Sequence, residues 1–173
     1  MNNKRGIAQA FANPPLGLTL RRATVFDVFG MSCVLIRSIT LLCEADHGNN
    51  PKKLAEWTAN KDPASIRQWI ASGAELWVGA TGDEVSAVGG VRAAGEISLL
   101  YVDPDRSGQG LGSALLTRME ASLRAQGCSL ARLHATETAF EFYLAQGWRA
   151  DGEQTEWNGI PQFPMRKSLH PAA

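Results

Sequence analysis

Net charge is the first thing this 173-residue chain lacks, because 17 Lys and Arg balance 17 Asp and Glu. No overall field draws it to nucleic acid or to an acidic membrane surface, so neither is expected as a partner. Cysteine is scarce. Cys33, Cys43 and Cys128 are odd in number and widely spaced, which excludes a disulfide framework and reads as free thiols in a reducing, cytoplasmic compartment. His47, His134 and His170 are the only imidazoles, and no two of them have the spacing of zinc ligands, so no metal is expected. The N-terminal "MNNKRGIAQAFANPPLG" has no continuous apolar segment, and no later apolar run is expected to approach the ~18 residues of a membrane span.

What is present fits one globular domain. Apolar residues make up 45% and charged residues 20%, ordinary values for a chain that buries a core. Residues 1–17 have no usable period and end in Pro14, Pro15 and Gly17, so they read as a loose arm before a single domain over 18–173. "LTLRR" is a strand. Thr24 then offers an N-cap for a long apolar helix that "ADHGNN" breaks, Pro51 opens a short second helix, and Asp62-Pro63 starts a third that Gly73 ends. "ELWVGA" and "EVSAVGGV" flank a turn at Gly82-Asp83, and "EISLLYV" adds a strand. Leu115, Leu116, Met119 and Leu123 recur at helical spacing up to Gly127. After them come a strand "SLARLHA", a helix "ETAFEFYLAQG" with Phe140, Tyr143 and Leu144 on one face, and two strands around Asn158-Gly159.

"DRSGQGLGSALL" carries the chemistry. A strand, a turn with Gly108, Gly110 and Gly112, and a helix start leave a row of backbone amides without intrahelical partners, where the helix dipole adds ~0.3–1 kcal/mol of preference for an anion. Glycines let that backbone approach a phosphate without a Cβ in the way. A bare strand-to-helix connection would not need three of them. A P-loop is excluded because Gly112 is followed by Ser113 and Ala114, with no lysine. A dinucleotide fold is disfavoured as well, since only about sixty residues follow the turn, too few to complete its parallel sheet.

"LLYVDPDRSGQGLGSALL" resembles the acyl-CoA binding motif of the GNAT-type N-acetyltransferase superfamily, a strand followed by Arg/Gln-x-x-Gly-x-Gly/Ala and a helix. "TETAFEFYLAQGW" is similar to that family's second motif through Ala139, Phe142, Tyr143 and Gly147, and "FPMRKSL" to its closing strand. The resemblance covers Leu18 to Leu169. It departs at Ser107, which stands at the Arg/Gln position with Arg106 one place earlier, at Thr136, where the family often has Asn, and at Trp148, which replaces Phe.

The resemblance implies an α/β (α+β) fold whose mixed, mostly antiparallel central sheet is splayed between two parallel strands and flanked by helices. It implies acetyl-CoA as the acyl donor, a small-molecule or protein amine as the acceptor, and a homodimer as a common assembly. Backbone at Leu100, Tyr101 and Val102 would pair with pantetheine; Ser107, Gly108, Gln109, Gly110, Leu111, Gly112 and Ser113 would cradle the pyrophosphate, with Thr136 nearby. Tyr143 matches the position that protonates the leaving thiolate. With ordinary values of ~10 for tyrosine and ~8.5 for a thiol, that transfer is uphill by ~2 kcal/mol, which favours a hydrogen bond to the developing charge. A lysine-like amine is neutral in only about one part in two thousand at pH 7, a cost of ~4.6 kcal/mol, so a base or water chain is needed. Glu96, sharing a strand face with Ser98, is the best-placed carboxylate. His134 is held in reserve. Asp46 and His47, with Trp57 and Trp69 nearby in sequence, lie in the helical excursion expected to cover the acceptor side, the tryptophans reading as core. The alternative is a non-catalytic acyl-CoA-binding regulatory module.

Overall fold

The computed structural model describes residues 15–170, so the arm expected over 1–17 falls mostly outside the described residues. β1 (Leu18–Arg22) leads through a 3-10 turn, Val25–Asp27, into α1 (Val28–Leu42). The Asp27 carboxylate fixes this entry: it accepts from the Thr24 amide (2.8 Å) and hydroxyl (3.2 Å) and takes both arms of Arg21 (2.8 and 2.9 Å). α1 ends at Leu42, just before the break expected at "ADHGNN", and a separate turn, α2 (Glu44–His47), forms before Gly48 enters the left-handed region at φ 56°. α3 (Pro51–Thr58) is capped by Asn50 and α4 (Pro63–Ala71) by Asp62, each with proline at its start.

Strands β2 (Glu75–Thr81), β3 (Glu84–Arg92) and β4 (Glu96–Val102) form a meander. α5 (Leu111–Ala125), β5 (Leu130–Ala135) and α6 (Glu137–Ala145) follow, then β6 (Arg149–Ala150), β7 (Thr155–Trp157) and β8 (Ile160–Ser168). The eight strands make one sheet in the order β1-β2-β3-β4-β5-β8-β6, with β7 paired to β8. Every pairing is antiparallel except β4 with β5, as the expected fold class requires.

α1 and α4 pack on one face against Leu76, Val78 and Val88. The other face holds α5 and α6 over Ala87, Ile97, Leu133 and Met165. Each fully buried Leu or Met of α5, such as Leu115 and Met119, contributes about 2–3 kcal/mol by area. On α6 Ala139, Phe140, Phe142 and Tyr143 pack on the core, Phe140 against Phe163 at 5.2 Å, whereas Leu144, expected on that face, is exposed.

The continuous helical run Val25–Leu42 corrects one expectation, since with a mean hydropathy of 1.8 over 18 residues it is long and apolar enough to cross a membrane by length and composition. Two apolar faces cause this. Val28, Met31, Val34 and Leu35 face the sheet, and Phe26, Phe29, Ile36 and Leu41 face outward. The two charges in the run are both engaged: Asp27 holds Arg21, and Arg37 ties α1 to Asp103 and Asp105 after β4.

Candidate active site

The parallel strands β4 and β5 touch at one register position, Glu96 with Arg132, and separate beyond it. Gly95 makes the contact possible. A Cβ there would sit 2.4 Å from the Leu130 carbonyl oxygen, and its φ of 86° disfavours any other residue. Past that point β4 pairs only with β3, Leu100 to Gly89 and Tyr101 to Val88, so its other edge opens into the gap. The register between β3 and β4 slips at Gly90/Val91, leaving Ser98 as the extra residue of a bulge.

Three cavities meet around this strand. One of about 190 Å³ runs between α1 and α6 and includes Gly112, Cys43, Phe142 and Tyr143 in its wall. A second, of about 60 Å³, shares Leu100, Tyr101, Thr136 and Tyr143 with it and ends at Ser98. On the far side of Ser98 and Leu99 lies a third, of about 590 Å³, walled by the turn before α4, α4 itself and the ends of β2 and β3.

At the mouth of the first cavity, Gly108 and Gly110 have φ of 76° and 81°, which turns the chain into α5 with Gly110 as N-cap. No side chain caps that end, so the amides of Leu111, Gly112 and Ser113 lack helical partners. Leu111 offers its backbone only, since its side chain is buried in the core, whereas the side chains of Ser107 and Gln109 are exposed. Gly112 faces the cavity: a Cβ there would touch Phe142 and Val102, each at 3.5 Å. The loop is anchored by Arg37 on Asp103 and Asp105, while Arg106, beside the departed Arg/Gln position, reaches Glu84 at 3.4 Å. The open amide row and the confined channel behind it fit a diphosphate with a narrow apolar tail.

Tyr143 and Thr136 both border the two smaller cavities. Tyr143 is buried against Trp148 (ring centroids 5.8 Å apart), and burial pushes its phenol well above the ordinary tyrosine value, with Tyr101 adding to the rise. Its hydroxyl makes no hydrogen bond to a described residue, yet no buried side-chain polar atom among them is unpartnered, so the oxygen opens onto the cavities. The Thr136 hydroxyl N-caps α6 by accepting from the Ala139 amide at 3.3 Å. Tyr101 accepts from Trp57 Nε1 at 3.2 Å, and burial raises its phenol too. Cys43 is pushed up to about 12, first by burial and then by Asp46, which keeps it a thiol.

Other residues lie elsewhere. Glu96 stands at the start of β4, 3.6 Å from Arg92, and lines none of the three cavities. His134 is exposed on β5. Asp46 and His47 turn inward rather than toward an acceptor. Asp46 accepts from the Glu137 amide (2.7 Å), the Thr138 amide (3.3 Å) and the Thr138 hydroxyl, so α2 holds the start of α6 across the gap. His47 Nε2 meets the Ile39 carbonyl at 2.9 Å, and Nδ1 accepts from the Asn49 amide at 3.0 Å. Trp57 is core, whereas Trp69 borders the 590 Å³ cavity together with Lys61, a residue that no sequence signal singles out. Among the described residues no group of three or more His, Cys, Asp or Glu could hold a metal.

The open sheet with its single parallel pair is a GNAT-like fold, and the comparisons agree. The acetyltransferase (GNAT) domain model matches residues 45–169, and the chain belongs to that family. A glucosamine 6-phosphate N-acetyltransferase from Trypanosoma brucei brucei is 38% identical over 65 residues, which is 38% of this chain and 44% of that protein. A GCN5-related N-acetyltransferase structure from Rhodopseudomonas palustris superposes with a TM-score of 0.78 at 23% identity, covering 91% of this chain and 97% of its own. The PaiA N-acetyltransferase of Thermoplasma acidophilum, solved in complex with coenzyme A, gives 0.71 at 16% identity, covering 87% and 98%.

Proposed function

We propose that the protein is an N-acetyltransferase that moves an acetyl group directly from acetyl-CoA to an amine. The observation that carries this is continuity: an open amide row, a narrow channel ending beside Tyr143, and a larger cavity meeting it at Ser98. In this reading the amides of residues 108–113 hold the pyrophosphate, with Ser107 at the rim, and the free edge of Leu100–Val102 pairs with pantetheine. Thr136 borders the channel.

The thioester supplies an electrophilic carbonyl and a thiolate leaving group. The neutral amine attacks that carbonyl from the Ser98 side; the new C–N bond forms as the C–S bond breaks, and the proton shed by the acylated nitrogen passes through solvent to the departing thiolate, leaving the amide and the CoA thiol. The phenol of Tyr143, kept protonated by burial, donates a hydrogen bond to the sulfur as charge develops. Its raised pKa makes full proton transfer still less favourable than the reference values suggest, so stabilisation of the thiolate is its role. Glu96, outside the cavities at the solvent end of β4, relays the ammonium proton through water to bulk solvent. Thiol release from acetyl-CoA that depends on an added amine tests the proposal, and CoA binding without such release on a broad amine panel would leave only the regulatory module.

The free thiols of Cys33, Cys43 and Cys128 support a cytoplasmic setting. The outward face of α1 supports a homodimer. Phe26 and Phe29 are 91% and 71% exposed and, with Ile36 and Leu41, form an exposed apolar stripe of the kind that marks an interface. Light scattering on Phe26→Ser/Phe29→Ser against the parent chain tests it: a dimer in the parent alone is expected, and a parent monomer would contradict it.

A further inference from the structure

Lys61 lies between α3 and α4, is only 8% exposed, and helps wall the 590 Å³ cavity. Its Nζ contacts Asn60 Oδ1 at 2.6 Å and stands 5.7 Å from the Trp69 ring centroid. No described carboxylate pairs with it. Desolvation lowers its pKa, as expected for a cation left without a counter-charge. Buried charges are normally paired, so one that is not paired and lines a cavity is placed for an anion from outside.

The other charged groups of the cavity are already engaged. The Glu75 carboxylate accepts from Ser122 (2.6 Å), Gln126 (2.8 Å) and Trp77 (3.0 Å) and meets Arg22 at 3.2 Å. Arg92 is 70% exposed at the rim and paired with Glu96. The field inside is therefore set by Lys61. The cavity's volume suits a small molecule, and Ser98 and Leu99, which its wall shares with the 60 Å³ cavity, put one end of an occupant beside the bulge.

We infer that Lys61 anchors a phosphate or carboxylate carried by a small amine acceptor whose amino group points to Ser98. This rests on the acetyl-transfer reading for the amine end, while the anion contact stands on Lys61 alone. Lys61 is a positioning and specificity residue, remote from the reacting carbonyl.

Calorimetry with matched pairs, run with and without saturating CoA, tests it: glucosamine 6-phosphate against glucosamine for the phosphate source, lysine against cadaverine for the carboxylate source. The anionic member of at least one pair is expected to bind about tenfold tighter or more, the size of one charge-assisted hydrogen bond. Lys61→Met, which keeps the buried stem, should abolish that ratio, and Lys61→Arg should retain most of it. A ratio near one in both pairs, no binding of either anionic ligand, or a Lys61→Met protein that keeps the preference would overturn the inference. Failure of the activity itself reads differently: without CoA binding the acetyl-transfer proposal falls, whereas the ligand ratio measured without CoA still reports on Lys61. Thiol release with neutral amines alone would keep the transferase and remove the anchor. An unfolding midpoint within a few degrees of the parent's confirms that the variants are folded, and Lys61→Gln serves if Lys61→Met is not.

Discussion

The two sides of β4 are built from different materials. On the donor side the working groups are backbone amides and a strand edge, supplied by one contiguous stretch and exposed by Gly108, Gly110 and Gly112. On the other side the cavity is made of side chains drawn from the α3–α4 turn, α4, the ends of β2 and β3, and the end of α5. A backbone site restricts residue type at successive positions, because only glycine gives the required φ or the required room. A side-chain site gathers single residues whose neighbours in sequence say nothing about it.

The contrast is broken most severely at Gly112. Gly112→Leu should weaken acetyl-CoA binding by about 100-fold or more in calorimetry, since the added carbons enter the 190 Å³ channel, and a cooperative thermal melt checks that the variant is folded. Next comes Tyr143→Phe, expected to lower kcat roughly 10- to 100-fold, with KM for acetyl-CoA changed less than about threefold. Burial raises the folded pKa of Tyr143, so its protonated form persists beyond the ordinary value of ~10. The alkaline limb of the pH-rate profile below that value therefore belongs to another group and should be the same in Tyr143→Phe.

Asp46 sharpens the comparison because it belongs to the helical excursion yet serves the donor side. Asp46→Ala leaves the α6 amides of Glu137 and Thr138 without their acceptor, which should cost about 2–3 kcal/mol and lower Tm by about 5–10 °C in a thermal melt. A smaller loss of kcat should accompany it, since α6 carries Tyr143. The least effect is expected at Glu96, paired with Arg92 at the cavity's edge. Glu96→Gln should lower kcat/KM by about fivefold or less, whereas an unchanged kcat/KM removes Glu96 from proton transfer.

These differences also explain what could be read from the sequence. The succession of strands and helices along the chain, the glycine turn and the Tyr143 helix were legible because periodicity, caps and glycine spacing are local. Asp62-Pro63, Gly73 and Asn158-Gly159 mark their boundaries as expected, with positive φ at Gly73, Asn158 and Gly159. The extra turn Glu44–His47 was not legible, since four residues give no period. Nor was the bulge at Ser98, which depends on register against β3, or the inward turn of Asp46, which depends on where α6 begins. The mean hydropathy of the first helix misleads for a related reason, because an average does not distinguish a face packed on a sheet from one left outside. Lys61 is the extreme case: its isolation from carboxylates exists only once α3, α4 and the sheet edge are assembled.

The central claim is that the amides between Gly108 and Ser113 open onto a channel that holds coenzyme A. Isothermal titration of CoA into the parent protein and into Gly112→Leu tests it most directly. The account expects one site per chain with a Kd of about 100 μM or tighter in the parent and no measurable heat in the variant. A parent protein that is folded yet takes up no CoA at millimolar concentration, or a variant that binds as well as the parent, would contradict it.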